Sequence, residues 1–307
     1  MPRVVAVFGA TGTQGSAVVN ALLEDKTFVP RAITRNASSD AAEALAARGA
    51  EVVIGDLWDR ESIKKALTGC EAVFGVSKQC CQAGWAANLT ALKVTNYYDP
   101  SIAGGNTAGE IEQGKQLVDV AKEVGVKFLV WSSLPHSTKL SNGKYPGVHH
   151  FDCKAEVEDY LKSSGLPNAT VHTGVFGKDE SGTYELRVPH YSATKTQAIT
   201  WIEHDLGPSV LALLKHYEDR ADEVLNKTFY VANAHITYPN FAEHSVAIGI
   251  PVKFVSPPTT GMKELDVMSD IGLYRDSPLP DPRLLSLGAK FATLEEFAQE
   301  RAKPRFS

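Results

Sequence analysis

The chain has 307 residues, of which 43% are hydrophobic and 22% charged, and its 31 lysines and arginines stand against 36 acidic residues for a net charge of −5. These values are typical of a folded globular protein and exclude disordered and collagen-like chains. The mildly acidic balance argues against general binding of nucleic acids. No apolar run approaches the roughly 20 residues that a membrane helix needs, so we expect no association with a membrane.

The N-terminus passes from Met1 directly into a strand-like run, without the basic-then-apolar pattern of a secretion signal. We therefore expect a cytoplasmic protein, with the nucleus as an alternative location. The cysteines are too few for a disulfide framework and lack the spacing of metal ligands, so we expect reduced thiols and no metal. They are Cys70, Cys80, Cys81 and Cys153.

Up to about residue 178 the chain alternates short β-branched runs with longer helical patterns, which predicts a parallel sheet with helices on both faces. The predicted strands are Val4–Phe8, Val29–Ile33, Glu51–Ile54, Ala72–Val76, Lys127–Ser132 and Ala169–Phe176. The predicted helices are Ser16–Glu24, Ser39–Arg48, Arg60–Leu67, Gly109–Val124 and His150–Ser163. This order predicts an α/β fold with a doubly wound parallel sheet, the Rossmann architecture.

Beyond residue 178 the alternation stops, and proline and glycine become more frequent. We predict a smaller α+β C-terminal lobe over residues 179–307, interleaved with the Rossmann domain of residues 1–178. Its predicted elements are the helices Ser209–His216, Tyr238–Ile248 and Leu294–Arg301 and the strands Thr228–Ala232 and Val252–Val255. We expect this lobe to face a substrate or a partner.

A glycine-rich turn directly follows the first predicted strand and opens the first helix. Its glycines allow a tight turn and a close approach to a pyrophosphate, whose charge then lies at the positive end of the helix. In this strand–turn–helix setting the pattern predicts dinucleotide binding, and a chance glycine turn is the alternative. The predicted binding residues are Gly9, Thr11, Gly12, Thr13, Gln14 and Gly15.

The end of the second strand favours one dinucleotide over the other. An NAD enzyme places an acidic residue there, about 20 residues beyond the glycine turn, to bind the ribose 2′-hydroxyl. This chain has Arg35 and Asn36 instead, and a guanidinium matches a 2′-phosphate in charge and geometry. We therefore predict NADP(H) as the cofactor, with a solvated surface arginine as the alternative.

Further candidate residues follow from the rule that ligands bind beyond the carboxyl ends of parallel strands. Asp56 and Leu57 follow the third strand at the adenine end, where an ordinary turn is the alternative. Thr95 and Asn96 follow the fourth strand on the side of the nicotinamide ribose, and Phe176 ends the sixth strand beside the nicotinamide ring. Each of these could also be a turn or core residue.

Several motifs together resemble the NmrA-like family of atypical short-chain dehydrogenase/reductases. The resemblance covers nearly the whole chain, and it implies an NADP(H)-binding Rossmann domain with a smaller C-terminal lobe. Some members of the family are redox-sensing regulators and others are reductases. The motifs are the glycine turn, Ile33–Asn36, Gly49–Asp56, Val94–Tyr98, Glu112–Lys115, His150–Glu158 and Glu264–Tyr274.

Reductases of the wider superfamily use a Tyr-x-x-x-Lys pair, and the matching positions here are His150 and Lys154. The resemblance implies that Lys154 holds the nicotinamide ribose. His150 shares its helix face and could donate a proton, because imidazole titrates near neutrality. The alternative is that His150 is a polar residue lining a catalytically inactive pocket. A literal Tyr-x-x-x-Lys at Tyr191–Lys195 follows the wrong strand, and we interpret it as a coincidence.

Other candidate residues follow from the resemblance or from their position in the sequence. Ser132 and Ser133 end the fifth strand at the position of the superfamily's serine, and Lys139 and Lys115 are similar to family lysines near the cofactor. Both lysines could instead be solvated. Cys153 lies beside Lys154, which could lower its thiol pKa and make it sensitive to oxidation, although simple helix packing is more frequent for such a cysteine.

The segment Ser77–Val94 departs from the family pattern, because its removal would join Val76 directly to Thr95 and restore that pattern. We hypothesise a retained intron, with a genuine lid loop as the alternative; sequencing the transcript distinguishes the two.

The leading hypothesis is an NADP(H)-binding regulator that senses redox state and acts on a partner protein. The alternative is an NADPH-dependent oxidoreductase that reduces a small apolar carbonyl or enone substrate. A homodimer is compatible with the resemblance, but no feature of the sequence indicates its interface.

Overall fold

Parallel strands and flanking helices alternate through the computed structural model, which describes residues 2–76, 107–174, 185–187, 193–247, 253–255, 267, 269–297 and 299–300. The strands are β1 (Val4–Val7), β2 (Val29–Thr34), β3 (Glu51–Ile54), β4 (Ala72–Gly75), β5 (Phe128–Ser133), β6 (Asn168–Thr173), β7 (Glu185–Arg187), β8 (Thr196–Ile199), β9 (Lys227–Val231), β10 (Ala234–Thr237) and β11 (Lys253–Val255). The helices are α1 (Thr13–Asp25), α2 (Asp40–Ala47), α3 (Arg60–Leu67), α4 (Thr107–Glu123), α5 (Ser137–Leu140), α6 (His149–Ser163), α7 (Ile202–His216), α8 (Ala221–Val224), α9 (Tyr238–Ala247), α10 (Pro282–Ser286) and α11 (Leu294–Phe297).

The main sheet has seven parallel strands in the order β3-β2-β1-β4-β5-β6-β9. The chain first builds outward from β1 to β3, then returns to the other side of β1 and continues through β4. The strand order therefore reverses between β1 and β4, and ligands of doubly wound sheets bind in the crevice at this reversal. The predicted Rossmann architecture is confirmed.

Two apolar layers cover the sheet, because side chains that alternate along each strand point to opposite faces. On one face, Val5 and Val7 pack with residues of α1 and α7. On the other face, Ala6 and Leu129 pack with residues of α3, α4 and α6. Burial on both sides explains why the strands in the sequence are almost continuously apolar.

The predicted bounds of β3 and α3 match the structure residue for residue, and those of the other early elements agree within a few residues. Two differences involve the C-terminal part. The strand predicted at Thr228–Ala232 is β9 of the main sheet, paired in parallel with β6. Helix α7 begins at Ile202 and not at the predicted Ser209, because Gly207 and Pro208 lie inside the helix.

Close packing explains why α7 continues through a sequence that usually ends a helix. A Cβ atom at Gly207 would lie 2.5 Å from the Ala17 carbonyl oxygen of α1. The two helices therefore approach each other through a position where only glycine fits, and this tertiary contact outweighs local propensity.

The remaining strands form two small pairs, with β8 antiparallel to β10 and β7 parallel to β11. The division of the chain at residue 178 stays a prediction, since the segment beyond it also supplies β9 and α7 to the main layers. In the described part of the chain, no helix has the length and apolar character that crossing a bilayer requires.

Candidate functional site

The glycine turn between β1 and α1 is tightly folded. Gly9 has a φ of +64°, which glycine adopts without strain, and the Gly12 amide donates a 2.8 Å hydrogen bond to the Gly9 carbonyl. A Cβ atom at Gly15 would lie 2.2 Å from the Gly9 oxygen. The first turn of α1 therefore packs directly on the turn backbone, and side chains larger than hydrogen are excluded there.

The start of α1 presents backbone amides to the carboxyl edge of the sheet. Its N-cap is Gly12, which supplies no side-chain cap, and the first turn carries no acidic residue. Uncapped N–H groups and the helix dipole favour an anion at this position. The Ser132 hydroxyl at the end of β5 donates a 2.6 Å hydrogen bond to the Gln14 side-chain oxygen, so this turn is tied to β5.

The end of β2 places Arg35 and Asn36 at the surface, next to the crevice. Both side chains are exposed, and the Asn36 side-chain oxygen accepts a hydrogen bond of 3.1 Å from the Ser38 amide. A phosphate group can reach an exposed guanidinium at this edge. The structure thus brings Arg35 to the same edge as the glycine turn, and binding of a 2′-phosphate by Arg35 stays a prediction.

Asp56 and Leu57 follow β3 at the same edge, beyond β2. The Asp56 carboxylate accepts a 3.0 Å hydrogen bond from the Trp58 amide, and its backbone amide donates to the Ser62 hydroxyl at 2.9 Å. The Leu57 carbonyl accepts from the Gln116 side chain at 2.8 Å. These bonds form the ordinary turn that was the alternative for Asp56, and contact with adenine stays a prediction.

Lys154 is buried in α6, and its ammonium donates to the carboxylate of Glu110 on α4. The two side chains are 8% and 0% exposed, so the pair lies almost wholly away from water. The Trp131 indole of β5 donates a 3.2 Å hydrogen bond to the Lys154 carbonyl, which fixes the helix backbone as well. The lysine implied for the nicotinamide ribose therefore has an internal counter-ion.

Glu110 is the site residue that sequence reasoning missed. The sequence contains a signal for this residue. Glu110 and Gln113 precede Leu117 at helical spacing, so the three residues lie on the buried face of α4. A carboxylate on such a face requires a cationic or hydrogen-bonding partner. That partner is Lys154 on the neighbouring helix.

His150 lies one helical turn before Lys154, near the start of α6, and its ring contacts Phe151 edge-on at a centroid distance of 4.8 Å. Burial and the positive charge of Lys154 lower the pKa of His150 to about 3. This differs from the ordinary imidazole, which titrates near neutrality, because the surroundings of His150 disfavour its charged form; a role of His150 as proton donor stays a prediction. At neutral pH the ring is uncharged and a poor proton donor.

One helical turn beyond Lys154 in α6, Glu158 connects the helix to the sheet. Its carboxylate accepts hydrogen bonds from His172 of β6 at 2.7 Å and from Lys162 at 2.6 Å. Burial would raise the pKa of Glu158, but the bonds from His172, Lys162 and Ser133 together hold it below its ordinary range. This network fixes the position of α6 against the sheet, and therefore the positions of Lys154 and His150.

Lys139, Lys115 and Cys153 have contacts that do not need a cofactor. Lys139 is 60% exposed and forms a 2.7 Å ion pair with Asp159. The Lys115 ammonium lies 5.2 Å from the ring centroid of Tyr160. The Cys153 thiol is 3% exposed inside α6, which suits helix packing better than access to an oxidant. A cofactor role for either lysine stays a prediction.

Some predicted residues fall outside the residues that the structure describes. These are Thr95, Asn96 and Phe176, the tyrosine of the Tyr191–Lys195 pattern, and the segment Ser77–Val94. Their assignments stay predictions. Among the residues that are described, no group of three or more His, Cys, Asp and Glu side chains is arranged to hold a metal ion.

Comparisons with known proteins agree on one family and one fold. The model of the NmrA-like family matches residues 1–301. The chain is 32% identical over 278 residues to the NmrA-like family domain-containing oxidoreductase notA of Aspergillus sp. (strain MF297-2), covering 82% of this chain and 75% of notA. Against the related notA′ of Aspergillus versicolor the match spans 62% of that protein's length.

Among solved structures, the fold resembles NmrA, a negative transcriptional regulator, in complex with NAD. The TM-score is 0.71 at 20% identity, over 98% of this chain and 95% of NmrA. It also resembles the Escherichia coli NADPH-dependent quinone oxidoreductase QOR2 in complex with NADPH, with a TM-score of 0.65 at 20% identity over 97% and 98% of the two chains. At these identities the similarity shows a shared fold.

Proposed function

The chain belongs to the NmrA-like family, and we propose that it binds NADP(H) and uses nucleotide occupancy or redox state to alter its interaction with a partner protein. The nucleotide occupies the crevice at the carboxyl edge of the sheet, where the strand order reverses. NmrA-like relatives carry oxidoreductase names, and NmrA itself is a transcriptional regulator crystallised with NAD. Both roles are therefore present among the relatives of this chain.

The residues at the crevice fit such a cofactor. The close contact between Gly15 and Gly9 keeps the turn compact, and the uncapped amides of α1 supply donors for a pyrophosphate. Arg35 would bind the 2′-phosphate at the end of β2, and Lys154 would bind the nicotinamide ribose. When bound, the dinucleotide supplies hydride-transfer chemistry, which the protein can either use or sense.

The observation that carries the regulatory proposal is the chemistry around α6. A reductase of this superfamily needs a proton donor at the position of His150, and here burial and Lys154 lower the pKa of that side chain to about 3. Loss of a positioned acid reduces a rate by about 10²- to 10⁴-fold, whereas nucleotide binding does not need it.

A sensor must adopt different states with the two nucleotides, because a ligand shifts an equilibrium only through differential affinity. The test is hydrogen–deuterium exchange of the full chain, alone and saturated with NADPH or NADP⁺. We expect different amide protection for the two forms at the start of α6 and in residues 141–148 before it. Identical protection together with equal affinities would contradict the regulatory proposal while leaving nucleotide binding intact.

A working NADPH-dependent reductase is the second candidate, and the oxidoreductase names of the relatives favour it. In that reading Lys154 positions the ribose, and His150 or a water supplies the proton to a small apolar carbonyl or enone. The measurement is NADPH oxidation at 340 nm with a panel of such substrates. With an active substrate, His150→Ala should abolish turnover and preserve NADPH binding, and unchanged turnover would exclude His150 as the acid.

A further inference from the structure

A side-chain hydrogen bond connects the glycine turn before α1 with the end of β5, on the two sides of β4. Gln14 lies in the first turn of α1, where the pyrophosphate of the proposed cofactor would bind, and Ser132 lies near the end of β5. The Ser132 hydroxyl donates to the Gln14 side-chain oxygen at 2.6 Å. Ser132 is 2% exposed and Gln14 is partly buried, so water competes little for this bond.

The direction of this bond determines what the Gln14 side chain offers a ligand. An amide has an acceptor oxygen and a donor NH₂ group on the same planar unit. Because the Ser132 hydroxyl donates its hydrogen bond to the Gln14 side-chain oxygen, the orientation of the Gln14 NH₂ group is fixed as well. Among the residues that the structure describes, none accepts a hydrogen bond from the Gln14 nitrogen.

We infer that Ser132 is a positioning residue for the cofactor, which holds the Gln14 amide so that its NH₂ group donates to an oxygen of the nicotinamide-side half of the dinucleotide. In the sheet order, β5 lies beyond β4 on the side opposite to β2 and β3. Gln14 therefore extends from the pyrophosphate turn toward the nicotinamide side and away from Arg35. This inference rests on the proposed binding of NADP(H).

The same bond gives Ser132 a different role from the superfamily serine at this position. A serine that donates its only proton to Gln14 has none left to donate to a substrate carbonyl. Its hydroxyl acts through Gln14 on the cofactor and not on the reacting atoms. Removing it should weaken nucleotide binding whether or not the chain catalyses a reaction.

The test is a double-mutant cycle with Ser132→Ala and Gln14→Ala, using two probes in equilibrium titrations of the full chain. NADPH contains the nicotinamide half, whereas adenosine 2′,5′-bisphosphate lacks it. We expect each single variant to weaken NADPH binding by about 3- to 10-fold, and the double variant to lose no more than Gln14→Ala alone. Binding of the bisphosphate should change by less than about twofold, since the adenine half is untouched.

Ser209→Ala is the matched control. Ser209 of α7 also has a buried hydroxyl, which donates a 2.7 Å hydrogen bond to the backbone carbonyl of Asp205 in the same helix. It should leave NADPH affinity unchanged. If wild-type protein fails to bind NADPH, the proposed function itself is wrong. If wild-type protein binds but Ser132→Ala binds equally well, if the two losses add independently, or if the bisphosphate loses as much as NADPH, the inference about Ser132 is overturned and the proposed function stands.

Discussion

Removing the charge of Glu110 tests the buried ion pair with Lys154 most sharply. The Glu110→Gln substitution keeps the size of the side chain but leaves the Lys154 ammonium without its carboxylate, at a position where the two side chains are 0% and 8% exposed. Breaking a buried pair from one side costs about 3–5 kcal/mol, because the remaining charge stays away from water. We expect a loss of this size in the free energy of unfolding.

Urea unfolding followed by far-ultraviolet circular dichroism measures this loss. Glu123→Gln is the control on the same helix, since Glu123 pairs with Arg60 and Lys64 but is 38% exposed. It should destabilise the protein far less, because exposed pairs contribute little. A second substitution, Lys154→Met, should recover much of the loss caused by Glu110→Gln. Equal losses for Glu110→Gln and Glu123→Gln would refute the account of the buried pair.

Three further substitutions test the crevice. Gly15→Ala should weaken NADPH binding at least about tenfold, because its Cβ would lie 2.2 Å from the Gly9 oxygen. Gly125→Ala is the control, because its Cβ would meet no atom within 4 Å and it lies between α4 and β5, at the edge of the sheet opposite to the crevice; its φ of +79° costs stability but should leave affinity unchanged, and equal effects on affinity in a titration would contradict the reasoning. Arg35→Ala should weaken NADPH about tenfold more than NADH, and an equal loss would mean that Arg35 does not bind the 2′-phosphate. His150 is neutral in the fold down to about pH 3, whereas the unfolded chain protonates it below about pH 6.5. The free energy of unfolding should therefore decrease as the pH is lowered from about 6.5 toward 3. His150→Phe should flatten this fall in urea midpoints measured at pH 7 and 4.5, and parallel profiles for the two proteins would contradict the lowered pKa.

The sequence predicts the central sheet well because its signals are local. Continuous apolar runs such as Val4–Val7, separated by helical patterns such as Arg60–Leu67, are sufficient to specify alternating strands and helices. The glycine turn is equally local, since its geometry depends on residues within one turn. These features do not depend on contacts between distant parts of the chain.

The features that the sequence did not predict depend on such contacts. Helix α7 continues through Gly207 and Pro208 because it packs on α1, nearly two hundred residues earlier in the chain. The pKa of His150 depends on how deeply the ring is buried and on the charge of Lys154, and the sequence position of a histidine gives neither. The Lys154–Glu110 and Ser132–Gln14 contacts join separate elements, so a one-dimensional pattern gives only candidates for them.

Calorimetric titration of the 307-residue chain with NADPH, NADP⁺, NADH and NAD⁺ tests the central claim most directly. We predict that the two 2′-phosphorylated nucleotides bind at least about tenfold more tightly than the other two, because a charge-assisted bond to Arg35 is available only to them. We also predict different affinities for NADPH and NADP⁺, which a redox sensor requires. Equal affinity for all four nucleotides, or binding of none, would contradict the account.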